Sequence, residues 1–482
     1  MSLPQAKKPR HPWRENIEAF TVAIVMAVML KYFAVEAYQI PTGSMQPTLM
    51  GQEIVRDGGV DEIKDRILVD KLSYHFRDPE RFEVVIFKYP LNRAQNFVKR
   101  LVGMPGDHLK IENGDLWQRA SESEPWKVLR RPANVMKDQW KPIDVGTPAS
   151  GVHWRSDDGR KLTSRDLDVA GETGLTFAAH GDGSIQANYT HGYPIAMQEA
   201  MRRQPRRRSY EQHDVGDLRV TGRVTARPEL RALVIEISES GHRYRFEIAG
   251  PAGGEESRVR AVWADPQAFR PLDVGVPGVR LAAGRAVEFA AQNLDDELAL
   301  SIDGERVAAV ETLPVNPVAS AVRIELSGGG AALADLQVWR DIHYTTDGTS
   351  WRIPDGNYFM LGDNTQDSSD SRAWELALLR WKDSPAGDEA IAGNRRGGMG
   401  DGSYLPDSNP IRERTPEGEL TLFRDTYGEL HTFPRSAELP LTNGPDDFRA
   451  PFVPRNLITG RALAVFWPMS FKYDAYRLKW IR

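Results

Sequence analysis

The 482-residue chain contains no cysteine. That excludes disulfides, thiolate metal sites and a cysteine nucleophile, although it leaves the compartment open. Histidine is scarce: ten are scattered along the chain. No His-Glu-x-x-His pair and no Gly-x-Ser-x-Gly elbow occurs, which removes the common zinc and elbow-type hydrolase patterns. Positive charge is not in excess, since 62 Lys and Arg face 67 Asp and Glu for a net charge of −5. A nucleic-acid partner is disfavoured on that ground. The glycine-rich run Gly397–Gly402 lacks both a phosphate-binding lysine and a preceding strand, so it reads as a loop rather than a nucleotide site. Long apolar runs are missing too, except for one, from Ile17 to Val35.

That run has the length of a membrane-crossing helix. Lys7, Lys8, Arg10 and Arg14 precede it, and Glu18 and Lys31 stand near its ends, where charged groups reach the interface. The basic side is expected to stay cytoplasmic. Residues 1–16 are then a cytoplasmic N-terminus, 17–37 a single transmembrane anchor in the cell (inner) membrane, and everything after Tyr38 extracytoplasmic. Val35-Glu-Ala37 loosely fits a cleavage site for a removable signal peptide, and a buried core helix is a further reading. The length of the run favours the uncleaved anchor.

The rest reads as mainly β. With 40% hydrophobic and 27% charged residues the composition is that of ordinary globular material, and the length suggests about three domains. Arg66–Leu72, Phe82–Tyr89 and Asn96–Leu101 are β-branched and aromatic runs bounded by Pro and Gly, and Asn113-Gly114 marks a hairpin. Residues 120–215 turn polar and irregular, and the basic run Arg202–Arg208 within them reads as a solvated loop. Strict alternation then appears: Leu218, Val220 and Val224 with an irregularity near Gly222; Tyr244, Phe246 and Ile248; Leu298, Leu300 and Ile302 before Asp303-Gly304; Val322, Ile324 and Leu326; Leu336 and Val338. Such half-buried strands predict an antiparallel sandwich, loosely similar to a concanavalin-type jelly roll. It could serve as a glycan- or envelope-protein-binding module or as plain scaffold, because fold does not fix function. A loop-rich second insertion is expected over 375–451.

Three stretches carry the chemistry. In Gln39-Ile-Pro-Thr-Gly-Ser-Met-Gln-Pro-Thr-Leu49, Gly43 permits unusual backbone angles and Pro41 and Pro47 stiffen the flanks around Ser44. Phe97-Val-Lys-Arg-Leu-Val-Gly-Met-Pro-Gly-Asp107 sets Lys99 in an apolar run, and Gly362–Arg372 is dense in short polar side chains. A serine hydroxyl needs a base, and a lysine can act as one if burial lowers its pKa enough to keep it neutral.

Together these stretches resemble the boxes of the bacterial type I signal peptidases, serine proteases with a Ser/Lys dyad. The resemblance implies Ser44 as nucleophile and Lys99 as general base. It implies an oxyanion hole from the Ser44 N–H and the Thr42 hydroxyl. Ser368 would orient Lys99, Asp370 would pair with Arg372 and Arg100, and Asp363 and Asn364 complete the box. Ile40, Pro41, Met45, Phe97 and Val98 would line the substrate path. Thr365-Gln366-Asp367 departs from the Arg-Asp-Asn of many members, and the chain lacks their direct run from Trp374 into the closing strand. The implied core is 38–119, 345–374 and 452–482, interrupted by insertions at 120–344 and 375–451. The implied partners are signal-peptide-bearing preproteins and the bilayer, with no metal or organic cofactor. Two other readings stand beside this one: a self-cleaving repressor-type peptidase, and a membrane-tethered glycan- or protein-binding protein with an inactive peptidase core.

Overall fold

Segments far apart in sequence meet in one antiparallel sheet. Its strands run in the order Val35–Gln39, Arg66–Asp70, Ile458–Trp467, Val84–Tyr89, Asn92–Gly103, Asn357–Leu361 and Phe452–Pro454, with Lys479–Trp480 pairing to Ile458–Trp467. The computed structural model describes residues 12–29, 31, 34–56, 59–145, 151–179, 184–188, 192–193, 198, 212–265, 271–346, 348–379, 391–394, 411–416, 418–434, 449–467, 469–470 and 475–481. The basic run 202–208 and the glycine run 397–402 lie outside them. A helix, Pro12–Met29, opens the described chain, with proline at its first position where no N–H is needed. Its apolar side chains face outward, Trp13, Phe20 and Met26 among them. No helix among the described residues is long and apolar enough to cross a membrane.

The apolar span expected at 17–37 is not helical to its end. Val35–Gln39 is instead a strand paired with Arg66–Asp70. Extension puts Glu36 and Tyr38 on one face, where the phenol donates to the carboxylate at 2.9 Å and Lys71 adds an ion pair at 3.1 Å.

A second sheet, in the order Ser350–Arg352, His108–Glu112, Asp115–Arg119 and Lys127–Val128, covers the first through Phe82, Val102, Leu109, Trp351 and Phe359. Its hairpin turns at Asn113 and Gly114, both at positive φ as the Asn-Gly pair predicts. From Lys127–Val128 the chain leaves the core through the short helix Ala133–Gln139.

The long insertion is built from two facing sheets. One holds Lys141–Ile143, Ala331–Arg340, Leu218–Ala226, Ala286–Leu294, Glu297–Ile302 and Glu305–Glu311, with Leu167–Val169 beside Ala331–Arg340. The other runs Lys161–Leu162, His153–Ser156, Thr173–Ala178, Ala321–Ser327, Ala232–Glu239, His242–Ala249, Ser257–Val262 and Leu272–Val276. Alternate side chains from both faces form one core, including Leu218, Val220, Tyr244, Phe246, Leu298 and Ile324. The register slips between Thr221 and Arg223, where a side chain on Gly222 would press on Leu336 and Phe289. Lys141 pairs with Arg340, so the insertion leaves and returns at adjacent strands. Adjacent ends let a core accept a large insertion without distortion.

Within 375–451, expected as loop-rich, the described residues form the hairpin Leu376–Leu379 with Ile391–Asn394 and the meander Ile411–Thr415, Gly418–Arg424, Leu430–Pro434. Ala377, Leu379, Phe423 and Phe433 give them a small core of their own.

Trp154 is fully buried against Phe177 at 5.1 Å, yet its indole N–H has no hydrogen-bond partner. Trp154→Ala should therefore cost about 3–5 kcal/mol, whereas Trp154→Phe, which also deletes the unsatisfied donor, should cost far less. Thermal unfolding of the full chain followed by near-UV circular dichroism checks both; equal losses would contradict the assignment.

Candidate functional site

Ser44 sits in a single 3₁₀ turn, Gly43–Met45, entered from extended Thr42. Met45 and Leu49 plug that turn into the apolar cluster beneath it, leaving the serine 8% exposed. Lys99 lies in the strand Asn92–Gly103, 4% exposed, and its Nζ is 2.7 Å from Ser44 Oγ. The Phe97 ring covers the amine at 5.4 Å. Burial pulls the Lys99 pKa from 10.5 down to about 8, against the opposing pull of the Asp370, Asp363 and Asp367 carboxylates. The Thr42 hydroxyl donates to Ser44 Oγ at 3.4 Å.

The third stretch holds this pair in place through its backbone and acids. Asn364 donates its N–H to Ser44 O at 3.0 Å and its side-chain amide to Gly43 O at 3.1 Å. Gly362 is required here, since a Cβ would lie 2.6 Å from Ser44 O and 2.1 Å from Ser368 Oγ. Asp370 accepts from the Gly362 N–H at 3.0 Å and from Arg372 at 2.7 and 2.8 Å. Burial alone would raise the Asp370 carboxyl, but Arg372 and these donors hold it below the usual range.

The structure departs from the sequence expectations at several residues. Arg100 does not pair with Asp370; it forms a fully buried two-pronged pair with Asp363 at 2.9 and 2.7 Å. Lys99 and Arg100 are strand neighbours and point to opposite faces, so the carboxylate that neutralises Arg100 lies on the side away from Lys99. Ser368 does not reach Lys99. The 3₁₀ turn Thr365–Asp367 sets its hydroxyl against Gly362, buried and without a hydrogen-bond partner. Ile40 and Met45, expected along the substrate path, are instead core side chains at 3% and 1% exposure. Pro41 is exposed there, and Phe97 and Val98 are half-buried.

Three residues at the site escape the sequence reading. Thr48 donates to Asp363, Gln139 donates to Asp363 at 3.0 Å, and Lys141 reaches Asn364 Oδ1 at 3.4 Å. Gln139 and Lys141 belong to the insertion. Burial, reinforced by Arg340, pushes the Lys141 amine well below its ordinary pKa.

The family described as "Signal peptidase, peptidase S26" matches residues 13–144 and 284–393, half of the chain in two pieces, consistent with an insertion between them. A probable signal peptidase I-2 from Synechocystis is 35% identical over 115 residues, 23% of this chain and 47% of the relative. Signal peptidase I from Leptolyngbya laminosa is 33% identical over 152 residues, covering 30% and 66% respectively. The chain thus spans about half to two thirds of the length of these relatives. Among solved structures, sheep galectin-11 aligns with 26% of this chain and 92% of its own at 7% identity, with a TM-score of only 0.20.

Removing one member of the buried Arg100–Asp363 pair strands the other charge. Arg100→Met should destabilise the protein by about 3–5 kcal/mol, and adding Asp363→Leu should recover a substantial part of that loss. Urea unfolding of Arg100→Met, Asp363→Leu and the double variant checks this; a double variant as unstable as the sum of the two singles would contradict the pairing.

Proposed function

The chain belongs to the signal peptidase family, peptidase S26, and from that premise we propose that it is a membrane-bound serine endopeptidase that removes N-terminal signal peptides from exported preproteins. The observation that carries the reading is the 2.7 Å contact between Ser44 Oγ and Lys99 Nζ, two buried groups brought together from different elements. A lysine with a pKa of about 8 is neutral in a useful fraction near neutral pH and can accept the serine proton.

In the proposed reaction the substrate lies extended along a strand edge, and main-chain hydrogen bonds fix its register while alternate side chains are read by pockets. Small residues at the first and third positions before the cut would fit, by family resemblance. Lys99 takes the Ser44 proton as Oγ attacks the scissile carbonyl. The negative charge that develops on oxygen is met by the Ser44 N–H and the Thr42 hydroxyl; donors waiting at that position supply much of the rate enhancement in such reactions. The lysine returns its proton to the leaving amine, releasing the mature protein and leaving an ester on the signal peptide. Water deprotonated by Lys99 then cleaves the ester. These steps use the chain's own residues and call for no metal or organic cofactor.

The N-terminal apolar stretch would anchor the enzyme in the cell membrane with its N-terminus cytoplasmic and the Ser44 site outside. Because the substrate is held in the same membrane, part of the encounter cost is already met.

Cleavage of a preprotein with an Ala-x-Ala site by the detergent-solubilised full chain tests the proposal. Wild type should cut, and Ser44→Ala and Lys99→Ala should each lose at least about a thousandfold in rate. An inert wild type that binds glycan would bring forward the reading of a tethered binding protein. The rate should climb with pH through about 8 and level off above it, as Lys99 becomes neutral. Stability should also rise from pH 8 to 10.5, since in that window the unfolded chain holds a proton that folded Lys99 has released. A rate that falls through pH 8 would sink the lysine-base assignment.

A further inference from the structure

Far from Ser44 in the sequence, the Asn113–Gly114 hairpin of the core meets the sandwich at a group of carboxylates. Asp115 begins the strand Asp115–Arg119, Asp217 precedes Leu218–Ala226, and Asp295 sits in the turn between Ala286–Leu294 and Glu297–Ile302. Each offers an oxygen, and these oxygens all lie within 4.8 Å of one another. Asp115 and Asp217 also border a cavity of about 20 Å³, lined further by Glu239, Asn293, Asp296 and His343, among others. That is room for a single ion or water.

The charges there are incompletely matched. Arg131 pairs with Asp341 and, at 3.3 Å, with Asp295, while Arg130 bonds to Glu311 and to the carbonyl of Asp295. Among the described residues, the carboxylates of Asp115 and Asp217 have neither an ion pair nor a hydrogen bond. An independent sign comes from Asn293, 3% exposed, which lines the same cavity. Its Nδ2 is bound to Gly216 O at 3.2 Å, but its Oδ1 has no donor. Oδ2 of Asp295, 2% exposed, is likewise left without one. Arg131 answers one oxygen of Asp295 only; two carboxylates without a counter-ion, beside a buried amide oxygen without a donor, are what a cation ligated by oxygen requires.

We propose that Asp115, Asp217, Asp295 and the Asn293 carbonyl oxygen form a calcium site that staples the sandwich to the catalytic core. An all-oxygen donor set suits a hard cation. Oxygens that share one Ca²⁺ at about 2.4 Å lie within about 4.8 Å of one another, a condition that the three aspartates meet. Mg²⁺ holds its ligands at about 2.1 Å and keeps several waters, which a cavity this small does not accommodate. The ion joins Asp115 of the core to Asp217 and Asp295 of the sandwich and takes no part in acyl transfer.

The test uses the full chain in detergent, stripped with EDTA and dialysed, then titrated with CaCl₂ by calorimetry and thermal unfolding. One Ca²⁺ should bind per chain, and Tm should rise by about 5 °C or more at a hundred times the Kd. Asp115→Asn and Asp217→Asn should each weaken binding at least about tenfold and raise Tm in EDTA, because repulsion is relieved. Absence of heat and of any Tm shift in wild type overturns the proposal without reference to a variant. Equal shifts in wild type and both variants, or Mg²⁺ acting as well as Ca²⁺, overturn it too. A separate acidic group, Asp425 with Glu429 and His431, provides the control. Glu429→Gln should leave stoichiometry at one, and loss of the calcium heat in that variant would place the ion elsewhere and defeat the assignment.

Discussion

The Arg100–Asp363 pair has no exposure to solvent on either side, and much of the site follows from keeping it satisfied. Taking two charges out of water is expensive, and only near-complete hydrogen bonding recovers the cost. Asp363 accordingly receives Arg100 Nε and Nη2, the Thr48 hydroxyl and the Gln139 amide. Arg100 sends its remaining arm to the Phe82 carbonyl at 2.7 Å. Four stretches that never approach in sequence are thereby fixed around one carboxylate. Asn364, the next residue, then has little freedom, and it is Asn364 that grips the carbonyls of Gly43 and Ser44.

Two neighbouring cations on one strand face opposite demands. Arg100 must stay charged, and its own acid ensures that it does. Lys99 must shed its proton to act as the proposed base, yet three acids lie near enough to oppose this. Desolvation prevails, helped by the engagement of the two acids with the largest influence. Asp363 is committed to Arg100, and Asp370 to Arg372 and the Gly362 N–H. A carboxylate neutralised by a bidentate guanidinium exerts only a weak field on a third group, so the apolar cover from Phe97 and the strand decides the lysine's state.

How far the sequence reveals this depends on the range of the interaction. Strand alternation is local, so Tyr244, Phe246 and Ile248 are legible as one buried face and prove fully buried. Turn chemistry is local as well, and Asn113-Gly114 declares its hairpin. The nearness of Ser44 to Lys99 is readable only through the three stretches taken together. The partner of Arg100 is not readable, because two acids in one box are equally plausible until strand direction sorts the faces. Ile40 and Met45 are ambiguous for a similar reason: an apolar side chain beside a polar loop suits a substrate wall or a core equally, and tertiary packing decides. Gln139 and Lys141 carry no local signal at all, since their partners lie more than two hundred positions away.

Those last two residues alter what the insertion is. A domain whose ends are adjacent, as Lys141 and Arg340 are, could hang from the core without touching the chemistry. Here its ends do touch it. Gln139 supplies a donor to Asp363, and His343 O accepts the Thr365 hydroxyl at 2.5 Å. Thr345 O and Oγ1 accept from Arg372 at 3.0 and 2.9 Å. The residues flanking the sandwich therefore complete the shell around the third stretch, and Asp363 loses a ligand if they part. Local opening of the sandwich and loosening of the proposed nucleophile turn must then share free energy, because each removes hydrogen bonds from the same buried carboxylate network. The sandwich is consequently part of the apparatus that holds Ser44, whatever else its outer face engages.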